Sequence, residues 1–339
     1  MSNPPLVEVW RDGLIESVHR GSYAVMDSEG QVLAAAGDID RPMFPRSAYK
    51  IFQSLDLIES GAADGAALTD AELAIAAASH WGADLHVGTV RAWLKRLRLP
   101  EAALACGAQE PLDPAELARL HRRRRKPTQL HNNCSGKHAG FLTLARHLDL
   151  SLWGYTEAGH PLQKRITATI ADLCDQDPHA LAVAVDGCSA PNLGMPLRAF
   201  GLGVARCAAR RGVSAGRAQA LERQFAAQAA HPVMLSGLGG LDTALIAAGK
   251  GRFVTKTGAE GVYSAFMVEL GLGVVLKIDD GATRAAQSAI CEILVRLGVL
   301  DPACAGIQSA HRPVLRNWRG LDTGRMRPVS DAFAALSAP

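Results

Sequence analysis

The chain lacks a strong charge of either sign. Its 339 residues carry a formal net charge of +3, too little for an electrostatic footprint on nucleic acid. No apolar run is long enough to span a bilayer. The opening "MSNPPLVEVWRDG" has no basic stretch leading into an apolar core, so no secretory signal is read there. A disulfide framework is missing as well. Cys106, Cys134, Cys174, Cys188, Cys207, Cys291 and Cys304 are odd in number and widely spaced, and the expectation is a soluble protein of the reducing cytoplasm. Around Cys134 and Cys188 there is no Cys-x-x-Cys spacing of a structural zinc site. Internal repeats and low-complexity linkers are absent too. What is present, 48% hydrophobic and 20% charged residues, is an ordinary globular balance. The length suffices for one large core or two domains.

Hydrophobic periodicity gives the architecture. "LVEVW", "LIESVH", "SYAVMD" and "QVLAAAG" are separated by "RDG", "RG" and "SEG", which predicts four short strands in antiparallel hairpins. Helical patterns follow. Val87, Val90, Leu94 and Leu97 recur at helical spacing until Pro100, and Leu162, Ile166, Ile170 and Leu173 do the same. "GRAQALERQFAAQAAHP" is a third long helix. Strands return in "RFVTKTG", "GVYSAFMVEL" and "GVVLKIDDG", and a last helix carries Ile290, Ile293, Leu294 and Leu297 on one face. The expected fold is a single α+β domain over residues 1–339. An antiparallel sheet comes from both chain ends, about 5–40 and 250–280, with a mainly helical region at about 45–245 and a C-terminal helix at about 282–298. "LSAP" at the end reads as a frayed tail. The run "HRRRRKP", His121 to Pro127, reads as a solvated helix end rather than an anion patch, because it is isolated and lacks interleaved aromatics.

Five strings carry chemistry. In "RSAYK", Ser47 and Lys50 are spaced to share one helix face. A helix start favours a serine alkoxide, and a buried lysine favours its neutral amine, which can take the serine proton. The same spacing also describes a plain helix turn. "VTKTGAEG" places Lys256-Thr257-Gly258 at a strand end, where a lysine adds charge over a site and a glycine lets a ligand approach the backbone. Ser-x-x-Lys followed by Lys-Thr-Gly is the layout of serine β-lactamases and penicillin-binding proteins. "ASHWG" offers Ser79 as a serine between the two lysines, or as a helix end capped by glycine. "HNNCSGKHAGFL" and "VDGCSAPN" set Cys134, Lys137, Asp186 and Cys188 among small residues. Those cysteines read as a metal pair helped by Lys137, a redox-labile thiol pair, or ordinary buried cysteines.

"RSAYK", "ASHWG", "HNNCSGKHAGFL", "HPLQ", "DGCSAPN", "HPVMLSG", "VTKTGAEGVY" and "KIDDGATRA" together resemble the bacterial L-asparaginase II family of the Rhizobium etli type, from about residue 7 to near 300. The resemblance implies a β-lactamase-like, glutaminase-like serine hydrolase fold, hydrolysis of L-asparagine to aspartate and ammonia, and a homodimer. It implies two Ser–Lys tandems, Ser47 with Lys50 and Ser79 with Lys256, and zinc held by Cys134, Lys137 and Cys188. Arg46 next to the nucleophile is the candidate for the substrate carboxylate and Asp186 for its ammonium, with His80 and His138 completing the polar shell. Trp81, Ile51 and Ser135 depart from the family pattern, which usually has a small residue, a proline and an acidic residue there. The other readings are a β-lactamase-type or transpeptidase-type acyltransferase, and a non-catalytic metal-binding protein using only Cys134 and Cys188.

Overall fold

The protein is described here by a computed structural model covering residues 2–336. Three residues of the expected tail, 337–339, lie outside the described ones. The chain forms two compact units interleaved in sequence. One comprises Met1–Ala48, Met195–Gly212 and Ala244–Pro339; the other comprises Tyr49–Gly194 and Val213–Thr243. The strands are β1 (Pro5–Arg11), β2 (Leu14–Met26), β3 (Val32–Ala36), β4 (Pro42–Met43), β5 (Ala182–Val185), β6 (Pro191–Pro196), β7 (Val254–Thr257), β8 (Val262–Met267), β9 (Leu272–Ile278), β10 (Val314–Arg316) and β11 (Asp322–Pro328).

The first unit is built on an antiparallel sheet in the order β10-β11-β1-β2-β9-β8-β7, with β3 also paired to β2. The α+β class and the sheet from both chain ends are as the sequence predicts. Two expected strands are in fact one: "LIESVH" and "SYAVMD" join as β2, which runs straight through Arg20-Gly21. Gly21 permits this. A Cβ there would lie 2.3 Å from the Lys277 carbonyl, just where β2 leaves β1 and meets β9. The β10–β11 hairpin is an addition the sequence did not announce, because its short strands lack a sustained apolar alternation.

β8 is buried at all six positions, so both of its faces are covered. The helices Leu197–Ala209 and Thr283–Arg296 both pack on β8 and β9. The first approaches the sheet through glycines: a Cβ on Gly273 would meet Ala205 N at 2.5 Å, and one on Gly201 would meet Met26 Sδ at 2.7 Å. The second is tied to the helix Ala305–His311 by the buried Glu292. Its carboxylate accepts from His311 Nε2 at 2.7 Å, Arg296 Nε at 2.7 Å and Arg312 at 3.0 Å. Burial alone would raise the Glu292 pKa, but these three donors pull it down to about 2. The carboxylate therefore adds stability above its ordinary value near 4.5, and that contribution is lost as pH falls toward about 2. Glu292→Gln is expected to cost about 3–5 kcal/mol at neutral pH, with the cost shrinking in acid. Thermal melts at both pH values check this, and an unchanged neutral-pH melting temperature contradicts it.

The second unit is helical. The helix Lys50–Glu59 is its centre, buried at nine of its positions. It packs against the helices Ser135–His147, Pro161–Leu173 and Ala215–Ala230. Glu72 caps the helix Asp70–Ala76 in a capping box with Thr69 and also pairs with Arg96 at 2.7 Å. The expected helical middle is interrupted by β5 and β6, an antiparallel hairpin whose register runs from Ala182↔Gly194 to Val185↔Pro191. Residues His121–Lys126 are all exposed, at and just beyond the end of the helix Pro114–Arg122. None of the described helices is long and apolar enough to cross a membrane.

Candidate active site

In the first unit, Ser47 lies in a 3-10 turn, Arg46–Tyr49, rather than opening an α-helix; the α-helix starts at Lys50. Arg46 adopts φ +52°, a left-handed conformation uncommon for a side-chain-bearing residue, so strain sits beside the serine. The turn is clamped from two sides. Ala48 N–H donates to Pro45 O at 3.0 Å, and Ser264 Oγ on β8 donates to Ala48 O at 2.8 Å. Lys-Thr-Gly belongs to the same construction. Lys256 is wholly buried on β7, opposite Ser264, and its ammonium donates to Thr257 O at 2.7 Å. Gly258 lies so near the turn that a Cβ would come within 2.8 Å of Pro45 O. Its glycine is therefore explained by close backbone approach. Ser264 is a residue the sequence reading passed over, though a serine inside the apolar strand "VYSAFM" signals a buried hydroxyl with a partner to hold.

In the second unit, Lys50 is 1% exposed, and its amine donates to Ala78 O at 2.6 Å and to Ser79 Oγ at 2.9 Å. The lysine that the sequence pairs with Ser47 is thus hydrogen-bonded to Ser79. Ser79 is placed by its own backbone, whose N–H donates to Leu235 O at 3.1 Å. Ile51, the departure after Lys50, is fully buried. The Trp81 ring lies on a glycine bed: a Cβ on Gly239 would come within 3.1 Å of it and one on Gly237 within 3.4 Å.

"DGCSAPN" is the turn of the β5–β6 hairpin. Asp186 N–H donates to Ala190 O at 2.9 Å, and Ser189 turns the chain at φ +71°. Tyr49 anchors this hairpin, donating to Pro191 O at 3.2 Å and accepting from Leu193 N–H at 3.3 Å. "HNNCSGKHAG" forms the entry and first turns of the helix Ser135–His147. Asn132 accepts from Cys134 N–H at 2.9 Å while donating to Cys106 O at 2.9 Å. Gly136 lets the helix press on its neighbour, since a Cβ would lie 2.4 Å from Ile75 O.

These two strings bring Cys134, Asp186 and Cys188 together, with one ligand atom of each within 4.8 Å of the others. Lys137 Nζ donates to Cys188 Sγ at 3.1 Å, and Cys188 Sγ lies 3.5 Å from Asp186 Oδ2. Hydrogen bonding from Cys134 holds the Cys188 sulfur as a thiolate, well below the ordinary thiol range, against burial and with help from Lys137. The same hydrogen bond, with burial, pushes Cys134 well above that range. Burial lowers the Lys137 pKa, but Cys188, Cys134 and Asp186 more than reverse this and keep it protonated. Two sulfurs and a carboxylate are a donor set that suits zinc. Asp186, which the sequence assigns to the substrate ammonium, is part of this set.

His138 is sealed, with Nδ1 2.7 Å from the Tyr155 hydroxyl, which itself accepts from Ala105 N–H at 2.8 Å. Burial lowers the His138 pKa while the neighbouring Cys188 opposes that effect. His80 is also sealed, and both of its ring nitrogens have protein partners, Gly82 N–H and Ser135 Oγ. Both rings are thus closed off from solvent.

A serine hydrogen-bonded to a buried lysine, as Ser79 is to Lys50, is a pairing found in nucleophilic catalysis. The sequence profile described as L-asparaginase II matches residues 7–328, and the chain belongs to that family. Membership makes it an asparaginase-type amidohydrolase acting on a small molecule. Comparison with curated proteins returns no match. Among solved structures, the chain is similar to a β-lactamase from Mycobacterium bovis, with 14% identity over 83% of this chain and 95% of the other at a TM-score of 0.41. It is also similar to a presumptive β-lactamase from Bacteroides dorei, with 14% identity over 76% and 84% at a TM-score of 0.42.

Proposed function

We propose that this family member is an L-asparagine amidohydrolase of the Rhizobium etli type working through a serine acyl-enzyme. The observation that carries the reading is the buried Lys50 amine, hydrogen-bonded to Ser79 Oγ at 2.9 Å, in a chain whose family match spans both Ser–Lys strings. Ser47 attacks the side-chain amide carbon, and Lys50 takes its proton. Backbone N–H groups, that of Ser47 among them, hold the oxyanion. Ser79 and Lys256 return a proton to the departing ammonia, and water then hydrolyses the aspartyl ester. Arg46 binds the substrate carboxylate. Asp186 is the candidate for its ammonium, or a fourth donor to the metal.

Zinc, when bound, would be held by Cys134, Cys188 and Lys137 with Asp186 beside them, and would supply a Lewis-acidic charge near the substrate. Lys137 must give up its proton to ligate, so metal binding releases protons and weakens in acid. The proposal includes a homodimer of the cytoplasm, with neither membrane nor nucleic acid as a partner.

The test is ammonia release from L-asparagine, L-glutamine and D-asparagine, assayed beside nitrocefin hydrolysis. Turnover of L-asparagine without nitrocefin cleavage is expected. Nitrocefin cleavage without ammonia release would make the protein a β-lactamase-type acyltransferase, and neither activity would leave a metal-binding protein.

A further inference from the structure

We propose that His80 is a positioning residue that fixes Ser79 through Ser135, an inference that rests on Ser79 taking part in the hydrolysis proposed above. The protons of this network can be assigned one by one. Gly82 N–H donates to His80 Nδ1 at 3.1 Å, so the imidazole proton sits on Nε2. Nε2–H then donates to Ser135 Oγ at 2.9 Å, and Ser135 sends its own proton to Leu130 O at 3.0 Å. The chain of donors has one direction and no spare group. His80 and Ser135 are both wholly buried, so water cannot substitute for either.

A second imidazole repeats the arrangement. His86 stacks on His80 with centroids 5.0 Å apart and planes 20° apart. Its Nδ1 accepts from Ala83 N–H at 3.1 Å, and its Nε2 donates to Val233 O at 3.0 Å. Burial first, then His86, Lys50 and His131, push the His80 pKa well below its ordinary value, so the neutral tautomer persists. The stretch from Ser79 to His86 is held at several places, among them Ser79 N–H on Leu235 O, His86 on Val233 O, and His80 on Ser135. The first two anchors lie on one segment, 233–235. The third alone ties the Ser79 stretch to the first turn of the helix that also carries Cys134 and Lys137. It also gives Ser135 a function: its small hydroxyl both accepts and donates, which a carboxylate at that site would not do.

The decisive contrast is Ser135→Val against Ser135→Thr, which share a shape and differ in the hydroxyl. Ser135→Val is expected to lower kcat by about tenfold to a hundredfold with little change in KM, and Ser135→Thr to recover most of that loss. In a Ser79→Ala background the Ser135→Val effect should vanish, because the group being positioned is gone. His80→Gln, which keeps an N–H toward Ser135, should lose less than His80→Ala. If Ser79→Ala is strongly impaired yet Ser135→Val keeps its kcat, or loses as much in the Ser79→Ala background, the positioning role is wrong. Full activity in Ser79→Ala alone overturns the catalytic reading of Ser79, and this proposal with it.

Discussion

Ser47→Ala is expected to reduce ammonia release from L-asparagine by about four orders of magnitude or more, with the fold intact. The size follows from the role. An attacking hydroxyl is not replaced by neighbouring water, and Lys50 and Ser79 cannot form the acyl-enzyme in its place. The intact fold follows from the turn. The hydrogen bonds that hold it are Ala48 N–H to Pro45 O and Ser264 Oγ to Ala48 O, and neither uses the Ser47 side chain. The serine is only partly buried, so removing its hydroxyl should change stability by less than about 0.5 kcal/mol. Steady-state ammonia assays with a thermal melt of the same sample decide the matter. Near-wild-type turnover in a folded variant would sink the mechanism.

Cys188→Ser is expected to strip the protein of zinc. Cys134 and Lys137 push the Cys188 sulfur toward the thiolate, and a serine hydroxyl does not ionise in its place. Elemental analysis should find about one zinc per chain in the parent and close to none in the variant. Acid should have the same effect on the parent, because the sulfurs and Lys137 reclaim their protons. The substitution also removes an anion facing a buried lysine. Cys188 contributes more than Cys134 or Asp186 to holding Lys137 protonated, so the melting temperature should fall as well. Absence of zinc from both proteins would refute the metal site.

Much of the site was legible because its residue types are chemically expensive. Buried lysines, paired cysteines and glycine-rich entries to helices are not used idly, and "HNNCSGKHAG" and "DGCSAPN" stood out for that reason. The glycines then received particular explanations. Gly136 is there for Ile75 O and Gly258 for Pro45 O, neither of which is near in sequence. The expectations that shifted concerned partners rather than identities. Lys50 is bonded to Ser79, Asp186 stands with the cysteines, and His80 faces Ser135. β2 ran on where a break was expected, because Arg20-Gly21 looks like a turn locally while Gly21 serves a close strand crossing.

The sequence by itself determined the family, the α+β class, the sheet from both chain ends and the residue types available for catalysis. Those follow from periods of two and 3.6 and from strings read over a dozen residues. The tertiary structure decided which side chain meets which. Lys50 reaches Ser79 over 29 positions, Lys137 reaches Cys188 over 51, and His80 reaches Ser135 over 55. Such contacts depend on how buried helices and turns pack against one another. Local periodicity specifies which face of an element is buried, but not the neighbour it is buried against.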